Sequence, residues 1–183
     1  MAVEAFPSFR HDVLEPGPET TSTMLASEAD ILGGYSFGAS LALRLEDPRP
    51  RVLIAPFADL KKETGRGGAV DTTQIRHLLR RLRRDPSAAI ADFHRRCGIE
   101  PLPLSASFDL NRLGWGLESM LQPAPDVPAM PMGSIAVAGC HDPLLDSELL
   151  QRELPGLHLA EGGHHPQPLL AVAARLRQDG GAW

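Results

Sequence analysis

Residues 30–41 read Asp-Ile-Leu-Gly-Gly-Tyr-Ser-Phe-Gly-Ala-Ser-Leu, and the parse of this stretch decides the fold. A very short apolar run ends in the paired glycines Gly33 and Gly34, and Ser36 to Leu45 follows with small and apolar residues of good helix propensity. Strand, tight turn, helix is the simplest reading. Within it, Gly34-Tyr35-Ser36-Phe37-Gly38 is a G-x-S-x-G pattern, which carries chemical meaning only between a strand and a helix. In that context Ser36 sits in a strained conformation at the C-terminal edge of a sheet, and Gly34 and Gly38 are expected to let neighbouring backbone approach without Cβ clashes. The turn aims the amide of Phe37, and the start of the following helix, at a place where a negatively charged oxygen could form. A glycine-rich nucleotide loop is the competing parse, but the chain has neither G-x-G-x-x-G nor G-x-x-x-x-G-K-S/T.

Further apolar runs extend the pattern. Arg51 to Phe57 (RVLIAPF) is rich in β-branched and aliphatic residues, as expected of a strand covered on both faces of a parallel sheet. Ser134 to Ala138 and Leu157 to Ala160 are two more, and Pro168 to Arg177 reads as a closing helix. Strands alternating with helices predict an α/β fold with a mostly parallel sheet. Between the second and third runs, residues 61–127 read as an inserted helical cap within one domain spanning 1–183. Thr73 to Arg84 places Ile75, Leu78, Leu79 and Leu82 on one stripe. Asp85-Pro86 then supplies an N-cap and a first-turn proline for a helix running to about Arg96, and a third helix covers Phe108 to Leu121. The proline-rich run 123–131 leads back to the sheet. Residues 1–22 show no sustained periodicity apart from a short strand expected around Ala2 to Phe6.

Composition bounds the function classes. A chain of 183 residues with 43% hydrophobic content makes one sizeable core. Its net charge of −5 gives no overall electrostatic footprint for nucleic acid or an anionic membrane. The first residues lack a basic segment followed by an apolar one, and no apolar run approaches the roughly 20 residues a spanning helix needs. A cytoplasmic location without export is expected. The two cysteines, Cys97 and Cys140, lie in no metal-type spacing, so no metal site and no cofactor are expected, and Cys140 reads as a buried small apolar residue.

A serine hydroxyl is a poor nucleophile at neutral pH and needs a positioned base, itself oriented by a carboxylate. Both lie downstream of Ser36. His141-Asp142-Pro143-Leu144-Leu145-Asp146 follows the Ser134–Ala138 strand, placing Asp142 at that strand's C-terminal end. Gly162-Gly163-His164-His165-Pro166 follows the next strand, and its glycines permit a tight loop that swings His164 toward Ser36. Asp142 has a plainer alternative as an Asx-turn residue after a strand, and Asp146 suits the N-cap of a helix over Ser147 to Glu153. For the base, His165 is the alternative, and His141 and His158 lie near the same strand ends. The candidate catalytic residues are thus Ser36, Asp142 and His164, with the Phe37 amide as oxyanion donor.

These motifs resemble the α/β-hydrolase superfamily, over about Asp30 to Arg177. The resemblance rests on LGGYSFGASLAL, GCHDPLLD and EGGHHP, met in the family's order of nucleophile, acid and base. Within the superfamily the chain resembles BioH-like carboxylesterases, through RHLLRRLRRDPSAAIADFHRRCG and LGWGLESML, which look like that family's helical lid. That resemblance implies hydrolysis of the methyl ester of pimeloyl-acyl carrier protein in biotin synthesis. Family members carry an earlier strand ending in an HGWG-like loop that supplies half of the oxyanion hole. No such segment precedes Asp30, so the fold is expected to be N-terminally shortened, with residues around Ala2 to Phe9 in place of the early strands.

A carrier protein is acidic, and the sequence offers a local basic surface. Arg76, Arg80, Arg81, Arg83 and Arg84 fall within nine residues, joined by Arg95 and Arg96, in a chain that is net negative. Guanidinium groups bind phosphate and carboxylate through paired hydrogen bonds, so such a patch steers an acidic partner. Three functions follow: a carrier-dependent carboxylesterase, a general small-ester or thioester hydrolase, and a non-catalytic binding module on the same fold.

Overall fold

Four short apolar runs pair side by side, all parallel, and the helices between them cover the resulting sheet. The computed structural model describes residues 14–99 and 108–180. Strands β1 (Leu32–Tyr35), β2 (Arg51–Ile54), β3 (Ile135–Gly139) and β4 (Leu157–Ala160) lie in the order β1-β2-β3-β4. Leu32 registers with Arg51, Val52 with Ile135, and Ala136 with Leu157. The strand expected around Ala2 to Phe6, like Phe9, lies outside the described residues.

Helix α1 (Thr20–Ala26) packs on α2 (Phe37–Leu43), which itself packs on β1 and β2. Between β2 and β3 come α3 (Thr72–Arg84), α4 (Pro86–Arg96) and α5 (Leu110–Leu121), with α3 packed against both of the others. Helix α6 (Ser147–Glu153) links β3 to β4 and α7 (Pro166–Gly180) closes the described chain, lying on β2 and β3. The sheet and its helices have the α/β-hydrolase type of arrangement.

Local chemistry explains most of the boundaries. Asp71 and Gln74 form a capping box at the start of α3. Asp85 Oδ1 accepts the Ala88 amide at 3.1 Å, with Pro86 in the first turn of α4. Asp146 Oδ1 likewise accepts from Leu149 and caps α6. Ile75, Leu79 and Leu82 of the expected stripe are buried, and Leu78 is half-buried.

Helix α1 is not expected from the sequence, and α5 begins at Leu110 where Phe108 is expected; two further elements depart in their bounds. Strand β2 stops at Ile54 and not at Phe57, because Ala55 adopts a positive φ of 48° and turns the chain while its amide still donates to Val137 O at 2.7 Å. Helix α7 begins at Pro166, two residues early, since prolines are tolerated in a first turn where no amide is needed.

The core is built from Leu43, Leu53, Ile54, Val137, Leu150 and Leu169 with small residues between them. A cation is buried beside them. Arg51, at the head of β2, donates to the carbonyls of Leu43, Leu45 and Asp47, and so satisfies the acceptors left over where α2 ends. No helix among the described residues is long and apolar enough to cross a membrane.

Candidate active site

The C-terminal ends of β1, β3 and β4 lie along one edge of the sheet, and each delivers one polar side chain there. After β1 the chain reverses into α2 within a single residue. Ser36 makes that turn with φ 53° and ψ −118°, a region ordinarily reserved for glycine, which stores strain at this position. Its amide donates to Ile54 O at 2.8 Å and its carbonyl accepts the Ser40 amide at 3.0 Å, so both ends of the strained residue are tied.

Only one of the two flanking glycines has the steric reason expected. A Cβ on Gly34 would lie 2.4 Å from Gly38 C and 2.5 Å from Ala39 N, so the hairpin-tight return of α2 over β1 requires glycine there. A Cβ on Gly38 would meet nothing nearer than Pro16 Cγ at 3.9 Å. The close approach is made by the backbone of Gly38, and its own missing side chain is not what permits it.

The loops that carry Asp142 and His164 cross at the end of β3. A Cβ on Gly139 would clash with the carbonyl oxygens of Gly163 and Gly162 at 2.3 and 2.4 Å. The amides of Cys140 and His141 donate to Ala160 O and Gly162 O, both at 2.9 Å, and lock the two loops in register. That crossing brings the side chains of Asp142 and His164 together from positions 22 residues apart.

His164 is 1% exposed and makes a hydrogen bond from each ring nitrogen. Nδ1 lies 2.6 Å from Asp142 Oδ2, and Nε2 lies 2.9 Å from Ser36 Oγ. A carboxylate only accepts, so Nδ1 carries the hydrogen and Nε2 presents its lone pair to the serine hydroxyl. The other oxygen of Asp142 accepts the Leu144 amide at 2.9 Å, which fixes the carboxylate plane. Ser36, Asp142 and His164 are therefore contiguous. Phe37 is the first residue of α2, and the geometry of a helix start leaves its amide without an intrahelical acceptor.

The competing residues lie elsewhere. Asp146 is exposed and occupied as a cap. His165 Nδ1 accepts the Gln167 amide at 3.3 Å, His158 is exposed, and His141 faces Glu161 at 3.2 Å. Cys140 is half-buried and not fully buried as expected, because its side chain turns out toward Glu161, with Sγ 3.7 Å from Oε2. Cys97 is the buried thiol, and burial, helped by the negative Asp142, pushes its pKa up to about 12.

Two neighbours carry no signal in the sequence that would have marked them. The Tyr35 hydroxyl donates to His164 O at 2.9 Å, and burial raises its pKa well above the usual phenol value, so it remains a donor. Trp115 of α5 packs on Phe37, with ring centroids 5.6 Å apart, and so lays the segment between β2 and β3 against the residue after Ser36. A cavity of about 230 Å³ is lined by Phe37, Phe57, Leu60 and Met120 with Arg44 and Asp59; none of the three contiguous polar residues lines it.

The arginine cluster divides in two. Arg81, Arg95 and Arg96 all turn onto Asp92, and Arg83 pairs with Glu118 at 2.6 Å. Arg76, Arg80 and Arg84 lie four residues apart on one face of α3 and are exposed, with no ion pair among the described residues.

No protein-family model matches the chain, and no curated protein does. Among solved structures it is similar to an esterase (EaEST) from Exiguobacterium antarcticum, with a TM-score of 0.58 and 14% sequence identity, over 74% of this chain and 58% of that one. The chain thus spans less than two thirds of the length of that structure. At this identity the likeness bears on the fold, and it agrees with the α/β-hydrolase arrangement described above.

Proposed function

We propose that this chain is a serine carboxylesterase, with Ser36 as nucleophile, His164 as general base and Asp142 as the acid residue that orients the imidazole and stabilises its protonated form. The observation that carries this reading is the unbroken relay from Ser36 Oγ to His164 Nε2 at 2.9 Å and from Nδ1 to Asp142 at 2.6 Å, seated on a positive-φ serine. In the first step Nε2 takes the hydroxyl proton as Oγ attacks the ester carbonyl. The Phe37 amide donates to the oxyanion, and the imidazolium returns its proton to the departing alcohol. Water then repeats the sequence on the acyl-enzyme, releasing the acid and restoring Ser36.

For the substrate, the resemblance to BioH-like enzymes makes the methyl ester of pimeloyl-acyl carrier protein the first choice. The exposed face of Arg76, Arg80 and Arg84 supports it as a docking surface for an acidic carrier. A general small-ester or thioester hydrolase is the second reading, favoured by the engagement of Arg81 and Arg83 in ion pairs within the protein, which weakens the patch.

Covalent labelling tests the chemistry directly. A fluorophosphonate reacts with an activated serine, so the wild-type chain is expected to take up one equivalent and the folded Ser36→Ala variant none. Absence of labelling in folded wild-type protein would replace this proposal with a non-catalytic binding module.

A further inference from the structure

On the solvent side of the crossing between the acid and base loops, three side chains of different chemistry converge. Cys140 and His141 come from the end of β3, and Glu161 comes from the end of β4. Their ligand atoms all lie within 4.8 Å of one another. Cys140 Sγ is 3.7 Å from Glu161 Oε2, and His141 Nε2 is 3.2 Å from Oε1. Sequence spacing could not reveal this group, because Glu161 lies 20 residues beyond His141.

We propose that Cys140, His141 and Glu161 form a three-ligand site for a thiophilic divalent cation of the Zn²⁺ type. Zinc takes thiolate sulfur at about 2.3 Å and imidazole nitrogen or carboxylate oxygen at about 2.0–2.2 Å in tetrahedral geometry. Those bond lengths require ligand atoms about 3.4–3.6 Å apart. The two separations above, to different oxygens of Glu161, lie on either side of that range, and all three ligand atoms lie within 4.8 Å of one another, so closing the site calls for rotation of the exposed His141 and Glu161 side chains. The donor set, one soft, one intermediate and one hard, selects zinc over magnesium or calcium, which favour oxygen alone.

Access is open. The His141 and Glu161 side chains are 71% and 87% exposed, so an ion reaches them from solvent and a fourth position is left to water. The backbone beneath is already fixed by the bonds from Cys140 to Ala160 and from His141 to Gly162. An ion bound here would join, side chain to side chain, the loop that carries Asp142 and the loop that carries His164. Metal binding at this place does not depend on the esterase reading, because none of the three ligands touches Ser36.

The test is equilibrium dialysis of chelator-stripped protein against Zn²⁺, with Co²⁺ as a spectroscopic probe. One ion per chain is expected, and the Co²⁺ form should show thiolate-to-metal charge-transfer absorption. Cys140→Ser, His141→Ala and Glu161→Gln should each weaken binding by roughly tenfold or more, at least the loss typical of an outer-shell partner. Zn²⁺ should also raise the thermal midpoint of the wild-type chain and slow modification of Cys140 by a thiol reagent. Failure of the wild-type chain to bind Zn²⁺, or binding that persists unchanged in Cys140→Ser, overturns the site. An unchanged rate of Cys140 modification in saturating Zn²⁺ overturns it even if a variant is poorly folded.

Discussion

The hydroxyl of Tyr35 donates to the main-chain carbonyl of His164 at 2.9 Å, across 129 residues of chain, while the two rings lie 5.3 Å apart. The residue before Ser36 thus holds the backbone of His164. Tyr35→Phe keeps the ring and removes only this bond, which is worth about 1 kcal/mol and so roughly fivefold in rate if it is lost wholly from the transition state. The expected result is a fall of that size in kcat with KM nearly unchanged. A purely structural role would lower the thermal midpoint and leave kcat per folded molecule intact.

Asp142 and Asp146 are four residues apart and do different work. Asp142→Asn removes the acceptor that fixes the His164 tautomer, and turnover should fall roughly 10³- to 10⁴-fold with the fold retained. Asp146→Ala should instead cost about 1 kcal/mol of stability through loss of the α6 cap, with kcat unchanged. Chemical denaturation and ester hydrolysis measured on both variants separate the two roles, and the reverse pattern would reassign the acid.

Much of this arrangement was legible in the sequence because local chemistry and tertiary structure agree there. Runs such as 51–54 and 135–139 are apolar enough to be covered on both faces, Asp85-Pro86 marks a helix start unaided, and three polar residues after three of the four strands announce a shared sheet edge. Other features depend on contacts no local pattern encodes. Ala55 takes a positive φ for reasons of the β2 exit, and Cys140 faces outward because Glu161 comes alongside. The arginine cluster is intermediate. Asp92 stands three and four residues before Arg95 and Arg96, a helical spacing open to inspection, whereas its pairing with Arg81 required α3 to pack on α4.

The face formed by Arg76, Arg80 and Arg84 bears on substrate choice. Reversing two of its charges, in Arg80→Glu with Arg84→Glu, should reduce kcat/KM for a carrier-bound acyl ester by roughly tenfold or more, mostly through association, and the loss should shrink as salt is added. Hydrolysis of a small nitrophenyl ester should change far less. Equal losses on both substrates, or none on the carrier ester, would favour the small-ester reading.

Cys97 supplies a pH dependence whose sign follows from burial. Its thiol has an ordinary pKa of 9.0 and is pushed up to about 12 in the folded protein, so above pH 9 the unfolded chain releases a proton that the folded chain retains. The unfolded state then binds fewer protons, and stability falls as pH rises from about 9 toward 12; below pH 9 the contribution is complete. Tyr35, also raised, acts in the same direction. Cys97→Ala should therefore lose less stability than the wild type between pH 7.5 and pH 10.5, even though the cavity it leaves makes it less stable at the lower pH. Denaturant melts at the two pH values measure this difference. The same burial predicts that a thiol reagent at pH 8 titrates one group in the native protein, Cys140, and two after denaturation. Equal alkaline losses in the two proteins would mean that the Cys97 proton does not distinguish folded from unfolded chain.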